Sequence, residues 1–174
     1  MLVGNSLGAH VGIECLPHLT NVRGIILSCC APVRRPLNLE QVFNPVPGAG
    51  AFFESEVDRT LLTDLILRYV SNSELVDSIV NAFEETDPES RSGLKADIIE
   101  GRFSDEVQVL TGFLGQKLLI APSDEPLINM DYVRSLACGL QIQRLPNCRH
   151  YPHMERPEEF AELIAKFADK SFSE

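Results

Sequence analysis

The 174-residue chain is 44% hydrophobic and 23% charged, and its 15 basic against 25 acidic residues give a formal net charge of −10. Such a surface repels a phosphate backbone and an anionic lipid face, which argues against nucleic acid as a partner. No apolar run approaches the roughly 18 uncharged residues that a membrane span requires, and residues 1–5 lack the basic n-region of a signal peptide. The expectation is a single cytoplasmic α/β domain. Five cysteines (Cys15, Cys29, Cys30, Cys138, Cys148) contain no C-x-x-C and read as reduced, packed thiols.

In chain order, a short apolar stub, Leu2-Val3, leads into Gly4-Asn5-Ser6-Leu7-Gly8 and then a helical stretch from Leu7 to Leu16. Val22 to Ser28 is a continuous apolar run, as suits a strand buried on both faces of a parallel sheet. From about residue 36 to 115 the pattern is helical without a convincing strand. A loop is expected across Asn44-Pro45-Val46-Pro47-Gly48-Ala49-Gly50, one apolar stripe at Leu61, Leu62, Leu65, Ile66 and Tyr69, and another at Leu75, Val76, Ile79, Val80 and Phe83. Ser71 with Glu74, and Thr86 with Glu89, have capping-box spacing, the second with Pro88 where a helix opens. Lys117 to Ala121 reads as a second buried strand, Met130 to Cys138 as a helix, Leu140 to Leu145 as a weaker strand and Pro157 to Phe172 as the last helix. Strand alternating with helix gives an α/β fold, residues 1–35 and 116–174, interrupted by a helical insert, 36–115.

The opening pentapeptide fits G-x-S-x-G, a pattern with about a 6% chance of arising somewhere in a chain this long from average composition. Its setting between a strand stub and a helix adds weight: a serine on a tight strand-to-helix turn needs flanking glycines so that strand and helix can approach. Gly4 and Gly8 would supply that room, with Ala9 and Gly12 keeping the helix thin where it packs. A serine nucleophile needs a base and an acid to fix the base's tautomer. Asp124 leaves the carboxyl end of the 117–121 strand and is the acid expected, with Glu125, Asn129 and Asp131 close enough to compete. Among four histidines, His150 lies in the loop between the weak strand and the last helix. His10 reads as a solvated or packing residue, His18 as a helix-end complement, and His153 as the runner-up base.

Three segments together resemble the α/β-hydrolase superfamily, in its lid-bearing, esterase-like branch. Residues 2–9 resemble the nucleophile elbow, residues 117–124 the acid-bearing strand and loop, and residues 150–160 the histidine segment H-x-P-x-x-E-x-P. The resemblance implies Ser6 as nucleophile, Asp124 as acid, His150 as base, and the Leu7 N–H as one donor of the oxyanion hole. It also implies a partial α/β-hydrolase fold, with the insert as a cap between the strand after the elbow and the acid-bearing strand. Phe43, Phe52, Phe53 and Phe83 are apolar enough to line an acyl pocket there, or to pack the cap. The expected activity is hydrolysis of an ester or related acyl bond of a small molecule through an acyl-enzyme, without metal or organic cofactor. Other triad chemistry, such as carbon–carbon bond hydrolysis, thioester hydrolysis or cofactor-free haloperoxidation, and a non-catalytic fragment are the alternatives. The family places several strands before its elbow, where only three residues precede Gly4. The chain therefore reads as the C-terminal portion of a longer hydrolase, and its open sheet edge as a place for self-association.

Overall fold

The computed structural model describes residues 1–173. Four strands, β1 (Leu2–Asn5), β2 (Gly24–Ser28), β3 (Gln116–Pro122) and β4 (Gln141–Leu145), form an all-parallel sheet in the order β1-β2-β3-β4. Leu2 aligns with Ile25, Ile25 with Lys117, and Leu118 with Gln141. Every residue of β2 is buried, which is why it reads as an unbroken apolar run. Within this chain β1 pairs on one side only, and β4 is solvent-facing over most of its length.

Because successive strand residues point to opposite faces, the sheet divides its side chains between two cores. Ile25, Leu27, Leu119 and Ala121 pack with Ala9 and Ile13 of α1 (Leu7–Cys15), Val107 and Leu110 of α6 (Glu106–Gly112), and Tyr132 and Val133 of α7 (Met130–Ser135). On the other face Ile26, Leu118 and Ile120 meet Phe160 and Phe167 of α9 (Pro157–Ser173). Expected and observed strands and long helices coincide to within a few residues, α7 stopping three residues early.

Between β2 and β3 lie α2 (Leu39–Val42), α3 (Arg59–Tyr69), α4 (Val76–Glu84), α5 (Pro88–Ile99) and α6. The two apolar stripes form α3 and α4, and these build a third core from Leu62, Ile66, Val70, Val76, Ile79 and Val80, with Phe52 and Phe83 against it. Helix α6, although inside the 36–115 range, packs instead in the first sheet core. The capping boxes shift by one residue. Asn72 Oδ1, rather than Ser71, accepts the Glu74 N–H at 3.0 Å, and the Ser71 N–H, which a capping box would give to the Glu74 side chain, donates to Glu155 instead. Asp87 accepts the Glu89 N–H at 2.9 Å, while the Thr86 hydroxyl turns back to the Phe83 carbonyl. Asn and Asp are at least as good N-caps as the neighbours they displace. No helix among the described residues is long and apolar enough to cross a membrane.

Candidate active site

The site assembles at the carboxyl ends of the parallel strands. Ser6 joins β1 to α1 at φ 50°, ψ −119°, left-handed backbone rare for a residue with a side chain. Its N–H donates to the Ser28 carbonyl at 2.8 Å, tying the turn to the end of β2. A Cβ on Gly4 would lie 2.3 Å from the Gly8 carbonyl oxygen and 2.5 Å from the Ala9 nitrogen, all backbone, so strand and helix approach this closely only with glycine there. A Cβ on Gly8 would meet nothing within 4 Å. Of the two motif glycines, only Gly4 is required by contacts within this chain.

Ser6 Oγ lies 2.8 Å from His150 Nε2, and His150 Nδ1 faces both carboxylate oxygens of Glu125 at 3.0 and 2.9 Å. The expected acid, Asp124, is solvent-exposed, and its neighbour occupies the position beside the imidazole. The chain turns on leaving β3, and of the two adjacent carboxylates only the Glu125 side chain, 1% exposed, enters the protein. Its Oε1 also accepts the Leu127 N–H at 2.9 Å, which fixes the carboxylate from its own loop. Burial alone would raise the Glu125 pKa, but the hydrogen bonds and charge of His150, with the Leu127 N–H, outweigh it and hold the carboxyl below its ordinary value.

The histidine loop is held from several sides. The His150 N–H donates to the Tyr69 carbonyl at 2.9 Å, and the Asn5 amide donates to the His150 carbonyl at 3.3 Å while accepting from the Ser28 hydroxyl at 2.8 Å. Arg149 reaches the carbonyls of Leu67, Arg68 and Val70, the orphan acceptors at the end of α3, at 3.2–3.3 Å. Glu155 in α8 (Pro152–Glu155) accepts from the backbone of both Arg149 and Ser71. His150 is thus anchored to the helical insert as well as to the sheet. Asn5 and Arg149 carry no motif of their own, and only their positions beside Ser6 and His150 could have drawn notice; Glu155 is the acidic residue of the H-x-P-x-x-E-x-P segment, which marked its place without showing its role.

A family model described as the alpha/beta hydrolase family matches residues 1–163. The chain belongs to that family. Among solved structures, the N-acyl homoserine lactonase AidH crystallised with N-butanoyl homoserine superimposes with a TM-score of 0.86 at 22% identity, over 98% of this chain and 63% of that one. The meta-cleavage product hydrolase CumD from Pseudomonas fluorescens gives 0.72 at 17% identity, over 97% and 64%. A putative aryl esterase from Burkholderia cenocepacia gives 0.76 at 14%, over 99% and 65%. At these identities the likeness is one of fold, and the chain spans slightly under two thirds of the length of each. No curated protein matches it.

The remaining expected residues fall in different places within this α/β hydrolase. Leu7 opens α1, where the first N–H groups have no intrahelical acceptor. Phe52 and Phe83 sit together, ring centres 6.1 Å apart, and Phe52 stands edge-on to Tyr69, whose ring is edge-on to His150 at 5.3 Å. Phe53 is half-buried beside Phe52. Phe43 lies elsewhere, bridged to Ile128 in the loop after Glu125 and packed on the sheet core, so the four phenylalanines do not share one wall. His153 is exposed, its ring against Tyr151 and Phe160. His18 is exposed. His10 is half-buried and takes the packing role: its Nδ1 meets the buried Glu106 carboxylate at 2.8 and 2.9 Å. Among the described residues, Cys29, Glu125 and His150 alone bring three metal-type donor atoms within 4.8 Å of one another. The carboxylate and imidazole of that group already share a hydrogen bond.

Proposed function

We propose that the chain carries the catalytic relay of a serine hydrolase acting on a carboxylic ester, lactone or related acyl bond of a small molecule. Ser6 attacks the carbonyl as His150 Nε2 takes its proton, and the imidazolium then hands that proton to the leaving oxygen. Water, deprotonated by His150, then attacks the acyl carbonyl, the bond to Ser6 Oγ breaks, the proton returns to Ser6, and the carboxylic acid leaves. Glu125 takes the role that the motif pattern gave to Asp124: it fixes the Nδ1–H tautomer and stabilises the imidazolium without accepting the proton. The Leu7 N–H supplies one donor to the oxyanion. The α3–α4 layer of the insert acts as a cap over the site, with Phe52 and Phe83 nearest the acyl group.

The observation that carries this reading is the continuous contact from Ser6 Oγ through His150 to the buried Glu125 carboxylate. A serine-directed fluorophosphonate tests it. Labelling is expected at Ser6 in the native chain and absent in Ser6→Ala, and a native chain left unlabelled would overturn it. A panel of p-nitrophenyl esters, N-acyl homoserine lactones and a carbon–carbon bond substrate then identifies the bond class. We also place self-association at the free edge of β1, where unpaired backbone groups can accept a strand from a second molecule; sedimentation velocity reads it directly.

A further inference from the structure

Tyr69 ends α3 with 1% of its surface exposed, and its hydroxyl is the one buried side-chain polar atom among the described residues that has no hydrogen-bond partner. Burying a hydroxyl in this state costs its hydration without return, and buried hydroxyls are as a rule paired. Tyr132 follows the rule, donating to the Pro32 carbonyl at 2.8 Å. Tyr69 departs from it beside His150. Its ring stands edge-on to the imidazole at 5.3 Å and to the Phe52 ring at 5.4 Å. The residue is held in place from its backbone: the Tyr69 carbonyl accepts the His150 N–H at 2.9 Å, and Arg149 ties down the carbonyls of Leu67, Arg68 and Val70 on either side. Few, fixed polar groups of this kind orient ligands in otherwise apolar sites.

We propose that the Tyr69 hydroxyl selects the acyl part of the substrate, donating a hydrogen bond to a carbonyl or ether oxygen a few bonds beyond the scissile carbonyl. This rests on the reading of Ser6, His150 and Glu125 as a hydrolytic relay, and it narrows the substrate class of that site. The scissile carbon must meet Ser6 Oγ, 2.8 Å from His150 Nε2. An acyl chain running from there toward Phe52 and Phe83 passes Tyr69, whose ring packs on both the imidazole and Phe52. The phenol keeps its proton for donation at neutral pH, because burial, then the charge of Glu125, push its pKa up to about 12. A plain alkanoyl chain leaves that donor unpaired, whereas an oxo, alkoxy or acylamino acyl group satisfies it. Discrimination then comes from pairing rather than from size.

Two esters of the same shape, methyl 4-oxopentanoate and methyl 4-methylpentanoate, test this through the concentration of each that halves the rate of Ser6 fluorophosphonate labelling. The preference for the oxo ester, taken as the ratio of the two concentrations, should be about five-fold or more greater in the native chain than in Tyr69→Phe. Comparing ratios cancels the difference in hydrophobicity between the esters and any change in reagent access. A preference equal in both chains, or a native chain protected by neither ester, overturns the assignment. Tyr69→Phe keeps the ring and the backbone bond to His150 and removes no hydrogen bond within the chain, so its melting temperature should equal or exceed the native one. A fall would mean that the hydroxyl already has a partner inside the protein, which also overturns it. A native chain that takes no label at all sinks the hydrolase reading, whereas a labelled chain with an unchanged preference sinks this assignment alone.

Discussion

Two histidine–glutamate pairs flank the first helix, and they differ in what stands at the far nitrogen. His150 bridges Glu125 to a serine held in strained backbone at the strand ends; His10, four residues after that serine, bridges Glu106 to the Cys30 sulfur, 3.6 Å from its Nε2. Glu106 also accepts the Val33 N–H at 2.8 Å, so the second pair joins α1, the segment after β2 and α6. Cys30 is 1% exposed and can meet no substrate, whereas Ser6 is only partly covered. On the function proposed above, the same imidazole–carboxylate chemistry serves as a relay in one place and as a cross-brace in the other. Access and backbone geometry at the third residue decide which.

The sharpest way to test that division is to neutralise each glutamate in turn. Glu125→Gln keeps the shape but offers His150 an amide that can favour the wrong tautomer, so Ser6 reactivity should fall by about 10⁴ with little change in melting temperature. Glu106→Gln should leave reactivity within a few-fold. A large loss of labelling in a folded Glu106→Gln chain would merge the two pairs into one functional unit.

Stability should show the opposite ranking. Glu106→Ala strands the Val33 N–H and His10 in a largely buried setting, and breaking such a pair from one side costs about 3–5 kcal/mol. For a chain of this length that lowers the melting temperature by about 2–4 °C per kcal/mol, readable by calorimetry.

The brace also has a pH signature, smaller and of fixed sign. Burial of His10 alone would lower its pKa, but the contacts with Cys30 and Glu106 outweigh it and raise the value well above the ordinary one. A raised folded-state pKa means that the pair contributes fully below the unfolded value of about 6.5 and loses its contribution as pH climbs through the folded one. The melting temperature should accordingly decline on the alkaline side of neutrality, and Glu106→Gln should flatten that decline. A difference between native and variant independent of pH would assign the brace to packing alone.

Much of this was legible in the residues. Ser6 and His150 were marked by motif order, and the sheet by the fully buried runs of β2 and β3, whose apolar faces have no polar alternation to confuse them. Which carboxylate stands beside His150 was not legible beyond a choice of neighbours. Which of Asp124 and Glu125 turns inward depends on a loop whose path is set by the Leu127 N–H and the Phe43–Ile128 bridge, contacts with no local signature. For His10 the choice between solvated and packing residue stayed open for a related reason, because the partner that decides for packing stands 96 residues away in sequence. The insert's boundary blurred because α6 is helical like its neighbours, yet Val107 and Leu110 pack into the sheet core.

The smallest expected effect completes the comparison, at the position where pattern and geometry disagree. Asp124 stands beside Glu125 in sequence and carries the same charge, so a purely electrostatic account of the acid would give both some share of the task. An exposed carboxylate, however, acts through water and salt, which reduce its interaction to a small fraction of that of a buried, hydrogen-bonded one. Asp124→Asn should therefore change Ser6 labelling by less than about two-fold, at low and at physiological ionic strength alike. A drop that appears only at low salt would mean that Asp124 assists through its field. A drop approaching that of Glu125→Gln would return the acid to Asp124, and with it the loop path that places Glu125 against the imidazole.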